Sequence, residues 1–295
     1  MIKLLNKTYK YLKNKKILII GGSGFIGSSV ALILKKNNKV TIMDLKKPKI
    51  KGIKFAKGNF SNSNKLDKLI KENQIIMIFA AVSNINIANA NTAKTIEQNT
   101  LAITKIIEKI KIYKHSKKIF FPSSIYLHGS NLDIYTISKI SSELIIKSLC
   151  KKYKIPYLIT RLPTIYGTYN RSEDAISIFV KKALLNKDII IHGTGEQKRN
   201  FMHSIDVALA ICSLFQKKYN NKIISLLSNQ TISIYKLAKK IVKITKSKSK
   251  IKKIVSAKRY DDFDFNPSKI LEEKSKLIWR SKNRLDENIK LMITK

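Results

Sequence analysis

KILIIGGSGFIG, residues 16–27, joins a short apolar run to a string of glycines and then to the start of an apolar-periodic segment. KILII, Lys16–Ile20, is too short and too apolar for a surface element and predicts a buried strand. Residues from Phe25 to Lys36 carry helical spacing and predict a helix. The turn between them holds Gly21, Gly24 and Gly27. A side chain there would keep an anion away from the backbone N–H groups and the positive end of the helix. A glycine string alone marks only a tight turn; one that follows a strand and opens a helix matches the context that a pyrophosphate cradle requires.

Working outward, apolar runs alternate with helical stretches. Val40–Met43 predicts a second strand that ends at Asp44, 17 residues after Gly27. A carboxylate there can accept from both ribose hydroxyls of a dinucleotide. It repels a 2′-phosphate and so favours NAD, although Lys46 and Lys47 leave NADP open. Ile53–Ala56, Ile75–Ala80, Lys118–Phe121 and Tyr157–Thr160 predict further strands. Helices are expected near Ser63–Lys71, over Thr92–Tyr113 with Ile96, Thr100, Ile103, Ile107 and Ile110 on one face, and over Ile134–Tyr153. Alternation of this kind implies a parallel sheet covered on both faces. After Arg161 the rhythm loosens: a helix near Asp174–Asn186, a strand at Ile189–Ile191, a helix at Ser204–Gln216, a strand at Ile223–Leu226 and a helix at Ile232–Thr245.

Two further constellations carry chemistry. Tyr135 and Lys139 are four apart and share one face of a predicted helix. A phenol starts from a pKa of ~10, and a cation at ~4 Å supplies the roughly 3–4 kcal/mol needed to lower it by ~2–3 units. Ser124, with Ser123, ends the fifth strand, over the carboxyl edge of the sheet where doubly wound folds bind ligands.

The composition sets bounds. The chain has 295 residues, of which 44% are hydrophobic, so a sizeable core is expected. Lysine and arginine total 59 against 19 acidic residues, for a net charge of +40. That balance by itself suggests a polyanion partner. The arginines, however, are only Arg161, Arg171, Arg199, Arg259, Arg280 and Arg284, and arginine is the residue suited to bidentate phosphate and guanine contacts. The lysines run from end to end alongside abundant Ile and Asn, a trio with A/T-rich codons, so compositional bias accounts for the charge and no specific nucleic-acid partner is expected. Lysines interrupt every apolar run before membrane-spanning length. Cys150 and Cys212 are the only cysteines, which excludes a disulfide scaffold and fits a reducing, cytoplasmic location. No metal-ligand spacing is present. Residues 1–14 read as an extension before the first strand, a surface helix or tail.

Together these segments resemble the extended short-chain dehydrogenase/reductases, in particular the NAD-dependent nucleotide-sugar epimerase/dehydratase family. GGSGFIG is similar to the family's GxxGxxG, IFAAVS (Ile78–Ser83) to its fourth-strand segment, PSSIYLHG to its Ser-Ser-x-x-Val-Tyr-Gly, and YTISKISSE to its Tyr-x-x-Ser-Lys-x-x-x-Glu. RLPTIYG and HGTGEQKRNFMHSIDVALA resemble two later segments. Ser268-Lys269 and Leu277-Ile278-Trp279 fall where the family places its closing helices.

The resemblance implies a Rossmann-type doubly wound parallel sheet (α/β) with a smaller C-terminal α/β substrate lobe. The NAD(P)-binding domain would take residues 15–168 plus 201–226, and the lobe 169–200 and 227–295. It implies Ser124, Tyr135 and Lys139 as catalytic residues at C4 of a nucleotide-diphosphate sugar. The cofactor would meet Gly21, Gly24, Phe25, Ile26, Gly27, Asp44, Asn59 and Phe60, then Ala80, Ala81, Val82, Asn99 and Pro163, besides Tyr135 and Lys139. The substrate would meet Ser83, Ser124, Thr164, Arg199 and Arg259, the two arginines clamping its diphosphate. His203 is expected to be structural. A homodimer through the two long helices is a further implication.

The chain departs from the pattern at Asn59, where the family carries an aspartate, and at Pro163-Thr164, in place of an aromatic-Asn pair. Only five residues separate Gly129 from Tyr135. Ser124-Ile125-Tyr126 replaces the Thr-Asp-Glu triplet of the 4,6-dehydratases, so dehydration is not expected. A 4-epimerase of the UDP-glucose 4-epimerase kind and a nucleotide-4-keto-6-deoxysugar reductase both fit. A non-catalytic dinucleotide-binding protein that associates with RNA is the alternative from another class; it has no use for the Ser124–Tyr135–Lys139 set.

Overall fold

The computed structural model describes residues 12–61, 64–113, 117–128, 132–167, 174–254, 277–281 and 285–293. The first strand, β1 (Lys16–Ile20), is followed by helix α1 (Phe25–Leu34), β2 (Lys39–Asp44) and β3 (Lys54–Lys57). Next come α2 (Lys65–Glu72), β4 (Ile75–Ile78), α3 (Ile85–Ala90), α4 (Thr92–Ile96), a π-helical turn (Glu97–Leu101) and α5 (Ala102–Ile112). β5 (Lys118–Ser124), a 3-10 turn (Ile125–His128), α6 (Ile134–Tyr153) and β6 (Tyr157–Leu162) complete the first half.

Strand β10 (Lys222–Leu227) and strand β13 (Leu277–Arg280) come later in the chain and join the same sheet. The order is β13-β10-β6-β5-β4-β1-β2-β3, with every neighbouring pair parallel. This is the Rossmann-type doubly wound sheet expected from the sequence. One face packs Ile17, Ile19, Ile42, Met77 and Phe120 against α1 and α8 (Ser204–Ser213). The other packs Leu18, Ile76, Ile119, Phe121 and Ile159 against α2, α5 and α6. The inner strands β1, β2, β4, β5 and β6 are buried on both sides, so their residues are near-continuously apolar rather than alternating. The order reverses between β1 and β4, and loops leaving their carboxyl ends diverge there to open a crevice.

The described residues of 164–203 and 231–254, with 285–293, build a second, smaller α/β layer. Strands β7 (Thr164–Tyr166), β9 (Lys198–His203) and β11 (Thr231–Ser233) form one sheet, and β8 (Ile189–His192) with β12 (Ile251–Ile254) another. Helices α7 (Ala175–Leu184), α9 (Ile234–Thr245) and α10 (Leu285–Ile293) close over a core that includes Tyr166, Phe179, Phe201, Leu237 and Ile241.

Two expectations need correction. Residues 277–279, expected among closing helices of the second lobe, form β13 with Arg280 and extend the main sheet beside β10. A three-residue apolar run has no periodicity to distinguish strand from helix. The helix expected over Thr92–Tyr113 is interrupted by the π turn. Its extra residue shifts the inward face, so Thr95, Asn99, Ile103, Ile106 and Ile110 are buried while Ile96 and Thr100 are not. β7, β9 and β11 are short and partly polar, and periodicity did not reveal them.

Candidate active site

The glycine turn shows which glycines the fold itself demands. Gly21 has φ of +79°, and a Cβ on it would sit 2.3 Å from the Ala80 backbone nitrogen. A Cβ on Gly27 would sit 2.4 Å from the Gly21 carbonyl oxygen. Gly24 differs: a Cβ there would meet only the Gly21 oxygen, at 3.3 Å, a tight contact that a shift of a few tenths of an ångström would relieve. What a Cβ on Gly24 would fill is the space in front of α1. That helix has no side-chain cap at Gly24 and no acidic residue in its first turn, so its positive end suits an anion from outside.

Asp44 closes β2 at the rim of the same crevice. Its Oδ2 accepts the Ser23 N–H at 2.9 Å and its Oδ1 the Lys46 N–H at 3.2 Å. The Ser23 hydroxyl donates to the Lys46 carbonyl at 2.6 Å, which ties the glycine turn to the end of β2. The carboxylate is therefore fixed in place. A cavity of about 550 Å³ runs from this rim along the carboxyl ends of the strands. Along it lie Gly21, Gly24, Phe25, Ile26, Gly27, Asp44, Asn59 and Phe60 at one end, Ala80 and Ala81 in the middle, and Ser83, Ser124, Tyr135, Lys139, Pro163 and Thr164 at the other.

Asn59 uses its Oδ1 to accept from the backbone N–H and hydroxyl of Ser61, at 3.1 and 3.0 Å. Val82 and Asn99 are not on the cavity wall. Asn99 is buried in the π turn; its Oδ1 accepts the Val82 N–H at 2.8 Å and its Nδ2 donates to the Val82 carbonyl and to Ser138 Oγ, each at 3.0 Å. It pins the segment after β4 to the helix that carries Tyr135 and Lys139. Arg259 lies outside the described residues, as does Ser268-Lys269.

The chemical end is assembled by α6 and the end of β5. Asp133 caps α6, accepting the Thr136 N–H at 2.8 Å, so Tyr135 enters on the first turn and Lys139 follows one turn on. The Lys139 ammonium is buried, donates to the Pro122 carbonyl at 3.1 Å, and lies 4.5 Å from the Phe121 ring centroid and 5.8 Å from that of Tyr135. Burial pushes its pKa down to about 8, against an opposing pull from Glu143. Ser124 Oγ accepts the Tyr126 N–H at 3.1 Å. The neighbouring Ser123 hydroxyl, also on the cavity wall, is 4% exposed and has no hydrogen-bond partner.

Tyr126 lines the cavity too and was absent from the residues expected from sequence. Its hydroxyl is 2.7 Å from Thr164 Oγ1, and burial raises its pKa. Arg199 reaches this end from β9: its guanidinium carbon is 5.6 Å from the Tyr126 ring centroid. His203 caps α8, its Nδ1 accepting the Ile205 N–H at the start of that helix. Among the described residues no cluster of His, Cys, Asp or Glu could hold a metal ion.

A dinucleotide cradle, a fixed carboxylate and a Ser–Tyr–Lys set thus share one cavity. The chain is 29% identical over 274 residues to the dTDP-D-glucose 4,6-dehydratase of Dictyostelium discoideum, covering 78% of this chain and 62% of that protein. It is 30% identical over 244 residues to a putative UDP-glucose 4-epimerase of Methanocaldococcus jannaschii, covering 75% and 79%. The fold superimposes with a TM-score of 0.80 on the UDP-glucose 4-epimerase of Thermus thermophilus, solved in complex with NAD, at 18% identity over 94% of this chain and 97% of that one. Residues 17–226 match the NAD dependent epimerase/dehydratase family, and the chain belongs to it.

Proposed function

We propose that the chain is an NAD-dependent enzyme acting at C4 of a nucleotide-activated sugar, an epimerase of the UDP-glucose 4-epimerase kind. The observation that carries this reading is the placement of Ser124, Tyr135 and Lys139 on the same cavity wall that the glycine turn and Asp44 begin. The family match and the nucleotide-sugar enzymes among its relatives support an epimerase or dehydratase class.

In this reading Gly21, Gly24, Phe25, Ile26 and Gly27 would receive the NAD pyrophosphate, Asp44 the adenosine ribose, and Asn59 and Phe60 the adenine. Ala80, Ala81 and Pro163 would line its path, with Val82 held in line by Asn99. NAD, when bound, supplies the hydride acceptor and donor for the sugar carbon. Tyr135 takes the proton from the C4 hydroxyl and returns it. Ser124 donates to the same oxygen and shares the charge that develops on it. Lys139 contributes a nearby positive charge that favours the phenolate and orients the nicotinamide ribose. Ser83 and Thr164 would flank the sugar, and Arg199, with Arg259, would meet the diphosphate.

Dehydration would need extra acid and base groups beside Ser124. Ile125 is instead buried against Leu227, and burial holds the Tyr126 phenol protonated. A nucleotide-4-keto-6-deoxysugar reductase would use the same catalytic residues once, and the short five-residue span between Gly129 and Tyr135 favours that second reading. A spectrum for tightly held NAD(H), followed by a nucleotide-sugar panel, separates the two: an epimerase retains its cofactor and a reductase releases it oxidised. Tyr135→Phe is expected to lower kcat by about 10³-fold with cofactor still bound. Undiminished turnover in that variant removes the mechanism.

Exposed Leu101, Ile112 and Leu144 on the two long helical segments support a homodimer, which light scattering of the purified chain tests. No described helix is long and apolar enough to cross a membrane, and both thiols are buried and free, in keeping with a cytoplasmic enzyme.

A further inference from the structure

We infer that Tyr126 is the positioning residue that joins the two ends of the substrate site, holding Arg199 by its ring face and Thr164 by its hydroxyl. The inference rests on the nucleotide-sugar reading above. Tyr126 sits on the 3-10 turn directly after β5, and its backbone N–H donates to Ser124 Oγ at 3.1 Å. The ring therefore sits two residues beyond the hydroxyl of Ser124, which ends β5. Next to it Ile125 is buried against Leu227, which anchors the turn from behind. The Tyr126 hydroxyl lies 2.7 Å from Thr164 Oγ1 on β7 and 3.5 Å from the Asn200 carbonyl on β9.

Arg199 projects from β9, whose position is set by its neighbour. Asn200 donates to the Ser228 and Gln230 carbonyls at 3.1 and 3.2 Å and accepts the Ser228 N–H at 2.8 Å. From that fixed strand the guanidinium reaches over Tyr126, 5.6 Å from the ring centroid, within the range of an attractive cation–π contact. A free arginine loses rotamer freedom when it engages phosphate. A ring face that already holds the guanidinium lowers that loss, and it keeps the cation beside Tyr126, which itself lines the cavity. The phenol itself stays neutral, so it adds no anion to compete with that diphosphate.

The test measures binding of UDP and dTDP to the NAD-loaded protein by calorimetry. The variants are Tyr126→Phe, Tyr126→Leu, Arg199→Ala and the Tyr126→Leu/Arg199→Ala pair. Tyr126→Phe keeps the ring face and is expected to bind the tighter nucleotide within about twofold of wild type, whereas Tyr126→Leu weakens it about tenfold. The double variant is expected to be no weaker than Arg199→Ala alone, because the ring acts through the arginine. Bound NAD stays unchanged throughout. If Tyr126→Leu does not fold, Tyr126→Met takes its place in the same cycle. Additive losses in the double variant, or wild-type affinity in the single, overturn the inference. A wild-type chain that binds no nucleoside diphosphate overturns the nucleotide-sugar reading itself, and the inference with it.

Discussion

Arg161 forks onto Glu143: Nε donates to Oε1 at 2.9 Å and Nη2 to Oε2 at 2.7 Å, with both side chains almost entirely buried. The pair joins β6 to α6 one turn beyond Lys139, so the helix that carries Tyr135 and Lys139 is fastened to the sheet by charge as well as by packing. Glu143 also pulls the Lys139 pKa upward, and the fork keeps its carboxylate directed at the sheet.

Breaking this pair leaves a buried, uncompensated carboxylate. Arg161→Met is expected to cost about 3–5 kcal/mol of stability, and Arg161→Met/Glu143→Leu to recover a large part of it. Urea denaturation of the three proteins measures both numbers. A single-variant loss under about 1 kcal/mol would mean that water already reaches the pair.

Lys139 gives the enzyme a pH signature. Burial lowers its pKa from 10.5 to about 8, so between those values the unfolded chain holds a proton that the folded chain lacks. On this group's account stability rises with pH across that window, while the cation beside Tyr135 is lost as pH passes about 8. Turnover is therefore expected to fall above pH about 8 along a single-proton limb, and Lys139→Arg to move that limb upward. A kcat profile level to pH ~10 argues that the lysine charge has no part in the reaction.

The sheet and the glycine-turn end of the cavity were legible because each rests on local pattern. KILII is apolar enough to be a buried strand, and Gly21, Gly27 and Asp44 are demanded by close backbone approach and by position at a strand end. The substrate end was only partly legible. Tyr126 reads in sequence as one aromatic among many; its role depends on Thr164 and Arg199, 38 and 73 residues away, meeting it from two other strands. Asn99 was expected to touch the cofactor, but its amide is taken by Val82 and Ser138, and the π turn that aims it there leaves no trace in apolar spacing. β13 was hidden because its edge position is set by pairing with β10, a long-range contact that a three-residue run cannot announce.

Gly24 and Gly27 separate folding from binding within one motif. Gly27→Ala forces a Cβ to 2.4 Å from the Gly21 oxygen, and the expected cost is about 3 kcal/mol or more. In Gly24→Ala the closest protein atom is 3.3 Å away, so stability is expected to change by about 1 kcal/mol or less. Its methyl stands where the pyrophosphate approaches α1, and NAD affinity is expected to fall about tenfold. Thermal melts without cofactor read the first effect and calorimetric titration with NAD the second. Equal NAD affinity for Gly24→Ala and wild type would place the pyrophosphate elsewhere.

The choice of dinucleotide depends on a carboxylate that cannot move aside. Asp44 is held by two backbone N–H groups, from Ser23 and Lys46, so a 2′-phosphate arriving at the end of β2 meets a fixed negative charge. Like charges at ~4 Å repel by about 4 kcal/mol at an effective dielectric near 20, and even a well-screened fraction of that gives tenfold discrimination. The purified chain is expected to bind NAD at least about tenfold more tightly than NADP. Asp44→Ser removes the charge while keeping an acceptor for the ribose, so it should narrow the ratio mainly by improving NADP. Lys46 and Lys47 flank the site and supply the countercharge that this variant would expose. Titration of both dinucleotides against both proteins decides the matter, and equal affinity in the wild type would show that the lysines already outweigh Asp44.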